Sequence, residues 1–161
     1  MIVRFRDDDT PLDGVLRYVD SEYSFNFDVG SPVDLSRRAG ESGVTSILIG
    51  TLQIEVGVAS KRALYVWGLH PRSRWAPAEL AAPRVSASAA FLDPDRPFAA
   101  GVSVAVAPVG AWSTRFDAGS GWIRVAPDAT ADDAVAQIAA GILLGERDGQ
   151  LHSIWLQPIL E

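Results

Sequence analysis

The sequence predicts an α+β fold: a mostly antiparallel β-sheet with an N-terminal and a C-terminal helix packed on one side. Three observations carry this. Short stretches of alternating apolar and polar residues recur along the chain, mostly joined by links of hairpin length. Two other segments, one near each end, space their apolar residues at three and four behind Thr-x-x-Asp capping sequences. The 161 residues, about half of them apolar and a fifth charged, suit one globular domain (1–161) with a single core.

Residues 2–6 alternate and read as a strand. Thr10-Pro11-Leu12-Asp13 then opens the first helix, with a Thr cap, Pro at the first helical position and a carboxylate at the third. Leu12, Val15, Leu16 and Val19 give it one apolar stripe, weakened by Gly14. Tyr23, Phe25, Phe27 and Val29 alternate with polar residues as a half-buried strand, and 30–43 is a loop by composition. From Val44 to Val58 two β-branched strands flank Gly50. A third, Ala63–Trp67, is turned by Ala59–Arg62. Residues 68–84, with three prolines, Arg72, Arg74 and Trp75, form a long loop of the kind that often carries function.

Val85–Phe91 reads as an edge strand, Leu92–Pro97 as a turn, and Val102, Val104 and Val106 as a core strand. Trp112–Phe116 and Trp122–Val125 form a hairpin across Asp117–Gly121. Thr130–Asp133 caps the second helix; Val135, Ile138, Ala139, Ile142 and Leu143 form its apolar face, and Gly145 ends it. Leu151–Leu156 closes the sheet. Trp67, Trp122 and Trp155, all in strands, are expected in the core; Trp75, on the loop beside two arginines, either projects as a partner contact or caps the end of the sheet.

The net charge is −6, and nucleic-acid binders are usually basic, so direct nucleic-acid contact is not expected. No window reaches the roughly 18 apolar residues of a membrane helix, and the alternating start lacks a secretory leader's apolar run. With no cysteine, the expected compartment is the cytoplasm. Residues 61–84 are locally basic, holding Lys61, Arg62, Arg72, Arg74 and Arg84 against Glu79 alone.

Catalytic signatures are sparse. The two histidines, His70 and His152, have no nucleophile elbow beside them; Gly119-Ser120-Gly121 reads as a hairpin turn. Lys61 has no phosphate-loop setting. Asp7-Asp8-Asp9 reads as a solvated acidic turn, since the glycine and distal Glu of a calcium loop are missing, and Asp93-Pro94-Asp95 as a turn. Neither a cofactor nor a metal is expected.

Leu52–Val58, the aromatic strand Tyr65-Val66-Trp67, and Trp122-Ile123-Arg124-Val125-Ala126-Pro127 are followed by the Ala-rich segment with Ala134 and Ala139-Ala140, then Gly145 and Trp155. Over residues 50–157 this order resembles the immunity-protein family of bacterial polymorphic toxin systems often found beside deaminase-type toxins. Two departures stand out. Leu143-Leu144-Gly145-Glu146 replaces a Phe-containing Thr-Gly ending, and the N-terminal helix–strand unit has no counterpart. The resemblance implies a non-catalytic protein that binds a cognate toxin domain and blocks its active site. Its contacts are expected from loops on a rigid sheet: Arg72, Arg74 and Trp75, and the Asp93–Asp95 turn. Two other classes compete. One is a small enzyme or ligand-binding domain with a site around His152 and scattered carboxylates such as Asp117. The other is a structural subunit that self-associates through an exposed strand edge.

Overall fold

Alternation prevails over helical spacing almost everywhere in this chain. The computed structural model describes all 161 residues. Strands β1 (Ile2–Arg6), β2 (Gly14–Val19) and β3 (Ser24–Val29) precede the one helix, α1 (Pro32–Ala39). Then come β4 (Val44–Ile49), β5 (Leu52–Gly57), β6 (Ala63–Leu69), β7 (Trp75–Pro77), β8 (Ala89–Asp93) and β9 (Val104–Ala107). The chain finishes with β10 (Ser113–Phe116), β11 (Ile123–Ala126), β12 (Ala134–Ala139), β13 (Ile142–Arg147), β14 (Gln150–Leu156) and β15 (Ile159–Leu160).

The α+β expectation is therefore overturned: the protein is mostly β, in two sheets, and neither predicted helix exists. Residues 14–19 form β2, antiparallel to β3, because Leu16 and Tyr18 fit the core in a two-residue period. Gly14 permits the close approach of Asp28 and the Phe27 ring, which a Cβ would strike. Residues 134–147 form the β12–β13 hairpin. Its Val135 and Leu143 pack on one face while Ala136, Ile138, Ile142 and Leu144 pack on the other. A strand buried on both faces reads as a continuous apolar run, indistinguishable by periodicity from a buried helix. Gly141, at φ 71°, makes the turn that a helix would not need.

The actual helix lies in the segment expected to be loop. Ser31 caps it, accepting from the Asp34 N–H at 3.1 Å; Pro32 starts it and Gly40, at φ 82°, follows it.

The first sheet has eight strands in the order β12-β13-β14-β11-β10-β7, with β1 pairing both β14 and β8. The second has seven, β15-β2-β3-β6-β5-β4-β9. They share one core that takes Leu16, Phe25, Ile47, Ile54 and Val66 from the second sheet and Val3, Leu92, Ile123, Leu144 and Ile154 from the first. Each fully buried Leu or Ile contributes about 1.5–3 kcal/mol relative to exposure. Backbone bonds also join the sheets: Leu12 N–H donates to Ile138 O, Ala140 N–H to Leu12 O, and Leu92 N–H to Lys61 O. Asp9 clamps the same region, accepting from Arg37 at 3.2 Å and Arg62 at 3.0 Å. The Thr10 N–H, with these guanidinia, holds its carboxyl at about 2 despite the cost of desolvation. No helix is long and apolar enough to cross a membrane.

Candidate functional site

The most concentrated polar chemistry is a buried carboxylate on the outer face of the first sheet. In β14, Leu151, Ile154 and Leu156 face the core. A bulge opposite Gly145/Glu146 leaves His152 as an extra residue, so that His152, Ser153 and Trp155 all reach the same carboxylate. That carboxylate is Asp132. It accepts from His152 Nδ1 at 2.9 Å, Ser153 Oγ at 2.8 Å and Trp155 Nε1 at 3.0 Å, and Arg124 lies 3.6 Å away. Its side chain is 4% exposed and that of Arg124 6%. Gly145 makes room: a Cβ there would collide with Ser153 Oγ and the Asp132 carboxylate.

Arg124 donates to the carbonyls of Asp128 at 2.9 Å and Thr130 at 2.6 Å, and its guanidinium sits 5.5 Å above the Trp155 ring. His152 Nε2 is buried and stands 3.4 Å from Asp128 Oδ1. The Thr130 hydroxyl and N–H hold the Asp128 carboxyl below the usual range, with His152 adding to this. A hydrolytic triad needs its serine on the outward histidine nitrogen. Here Ser153 donates to the aspartate instead, so the set locks loop 128–133 onto the sheet. A cleft of about 650 Å³ opens beside it, lined by Leu80, Arg84, Arg115, Arg124, Asp132 and Trp155.

His70 sits elsewhere, at the end of β6. Its Nε2 is 2.6 Å from Thr114 Oγ1, and its carbonyl accepts from the buried Tyr18 hydroxyl at 3.0 Å. Burial, reinforced by Arg74, pushes its pKa down to about 4, so it is neutral.

The residues expected to contact a partner fall into two separate groups. Arg72 and Arg74 are exposed on a 3-10 turn. Trp75 does not project as a partner anchor and instead packs at the end of the sheet. Half-buried, its ring packs against Tyr18 at 4.7 Å, Phe116 at 5.4 Å and Phe25 at 5.9 Å, with Arg72 over its face. Asp93 ends β8 and is paired to Lys61 at 2.7 Å and Arg4 at 3.3 Å, whereas Asp95 is exposed in the following turn. No hydrogen bond or ion pair joins the two groups. Asp117 caps its own turn, accepting from the N–H groups of Leu80, Gly119 and Ser120.

Three features escaped the sequence reading. Asp132 was expected to sit at a helix start, and its role depends on a bulge that leaves no sequence mark. Arg115 is paired in register with Arg124, a neighbour visible only once β10 and β11 are aligned. Trp67, expected in the core, is exposed on β6 and donates to Glu55 at 3.0 Å.

No protein-family model matches the chain, and searches of curated proteins and of solved structures returned no match.

Proposed function

We propose that this protein is a non-catalytic binding domain that attaches to a cognate bacterial toxin domain, of the kind paired with deaminase chemistry, and covers its active site. The observation that carries this reading is a division of labour among the polar side chains. The buried ones, His70, Asp132, Arg124, Arg38 and Arg62, are each bonded to another part of the same chain. Of the outward ones, Arg4, Arg17, Arg37 and Arg72 are ion-paired, whereas Arg74, Arg84, Asp95 and the half-exposed Arg115 make no ion pair within the molecule and are free for a partner. The strand motifs at 52–58, 65–67 and 122–127 and Trp155 keep the order that resembles the immunity family. The Ala-rich segment is a hairpin and no longer supports that resemblance. A net charge of −6 would speed approach to a basic substrate groove.

The test is growth rescue. The toxin domain encoded beside this gene is expressed in a susceptible host with and without the protein, and the pair is run on a sizing column. Rescue and a stable complex are expected. Arg74→Ala with Asp95→Ala should weaken the complex by about 2 kcal/mol and leave the fold intact, since both side chains are exposed. Absence of both rescue and complex would sink the proposal.

A second reading has one observation in its favour: Arg84 and Arg115, neither ion-paired, line the cleft beside Asp132. Such a cleft would suit a small carboxylate or phosphate. A denaturation midpoint that is indifferent to millimolar citrate or phosphate would dismiss it.

A further inference from the structure

The sheets of this protein are closed at nearly every margin. The outer side of β12 is bridged by Leu12 and Ala87, with Gln137 N–H donating to Ala87 O at 3.0 Å. That of β8 is bridged at Phe91 by Arg62. β7 has three residues and ends in Pro77, which has no N–H to offer. β15 has two residues and is flanked by the Arg17–Glu161 ion pair. β9 differs. It ends the seven-stranded sheet, paired parallel to β4 on one side, with a bulge at Val106 as its one guard, and unpaired on the other. In a parallel ladder alternate residues of an end strand turn their N–H and C=O groups outward, ready for another strand.

The chemistry along this edge is as unusual as its geometry. Phe98 through Thr114 contains no charged residue and β9 no proline, although charge and proline are the usual guards of an open edge. Exposed apolar side chains gather here: Val102 is 60% exposed and Val109 54%, and Val44, whose carbonyl accepts from the Gly101 N–H, is also exposed. Val104 and Val106 pack against the core yet stay half-exposed, because no further strand covers them. Beside them runs a groove of about 510 Å³, whose far wall is Met1 and the Pro94–Pro97 turn with its charged Asp95 and Arg96.

We propose that this groove receives an extended segment of a partner protein, which adds to β9 as a further strand and lays alternate apolar side chains over Val104 and Val106. Only an extended backbone satisfies outward N–H and C=O groups, and the uncharged β9 side of the groove selects apolar side chains at alternate positions, while Asp95 and Arg96 on the facing turn remain to meet polar ones. A second copy of this chain fits less well. The groove has eleven lining residues, against roughly 20–30 on each side of a stable protein interface. The proposal rests on the binding role given above and names the element through which it acts.

Peptides of about twelve random residues, displayed on phage, are selected on the immobilised full-length protein. The expected winners alternate apolar residues, and their affinity falls at least about tenfold in the Val102→Lys, Ala105→Lys double variant. Both positions are exposed, so the denaturation midpoint should not move, and Trp67→Ala, on a different exposed patch, should leave binding unchanged. Selected peptides that ignore the two lysines, or none selected, would overturn the proposal, as would a dimer of the chain that the lysines dissolve. The same variant separates this idea from the toxin reading. A toxin complex that survives the lysines keeps the binding role and discards the edge. Peptides that sense the lysines, with no toxin rescue, keep the edge and discard the toxin.

Discussion

His70 is a neutral histidine largely buried beside Thr114, and this makes it a reporter of folding. Its folded pKa of about 4 lies below the usual 6.5, so protonation favours the unfolded chain. The stability it contributes is complete above pH 6.5 and is lost as pH falls through that value towards 4. The loss should amount to about 3 kcal/mol, which denaturant melts of the wild type and His70→Gln across this window will measure by difference. Asp132 is the buried acceptor on which three donors converge. Asp132→Ala leaves Arg124 with its two carbonyl acceptors but removes the acceptor for Ser153, Trp155 and His152, so a cost of about 3 kcal/mol is expected in the same melts. Trp75→Ala is a poor probe of binding, because the ring fills space between Tyr18, Phe25 and Phe116; it should cost about 3 kcal/mol or more of stability.

Among the elements, the β12–β13 hairpin is where sequence and structure part most sharply. The five residues expected on its apolar face are all interior, but so are Ala136 and Leu144, which a helical face leaves out. What failed was their geometry, since apolar residues on both faces erase the two-residue signal. The substitutions still discriminate. Ile142→Ala should cost about 2–5 kcal/mol in either geometry. Gly141→Ala would favour a helix but is strained in this turn, where φ is 71° and a Cβ would lie 2.8 Å from Gln157 O. A lower melting temperature for Gly141→Ala supports the hairpin; a higher one supports a helix. Helix α1 shows the reverse failure. Ser31, Pro32, Asp34 and Gly40 spell a capped helix, but its mostly polar body carries little core-facing signal. The strands from β3 to β6 and β10 are legible because each has one wet face; β11 and β14, buried on both faces, are legible from their short β-branched and aromatic runs bounded by turn residues. The Asp132 cluster was not, because a bulge and two sheet registers bring its members together.

At the scale of the whole molecule, one core draws on both sheets, and unfolding should be a single transition with coincident midpoints by circular dichroism and tryptophan fluorescence. Most of its strand partners are distant in sequence, such as Ile2 with Gln150 and Ile47 with Val104, so folding should take milliseconds to seconds.

The bonds from Leu12 and Ala87 to β12 do more than close a margin. They stitch one flank of the molecule into a seam, and the β9 flank has no counterpart. Thermal motion should then part the layers as a book opens, with its spine at β12 and its fore-edge at β9. Amide hydrogens give the sequence of events. Those of Gln137 and Ala140, held across the seam, should exchange only when the whole molecule unfolds. Those of Val104 to Val106 should exchange through a far cheaper local opening. The fold would thus present its least protected backbone where an incoming strand would have to start.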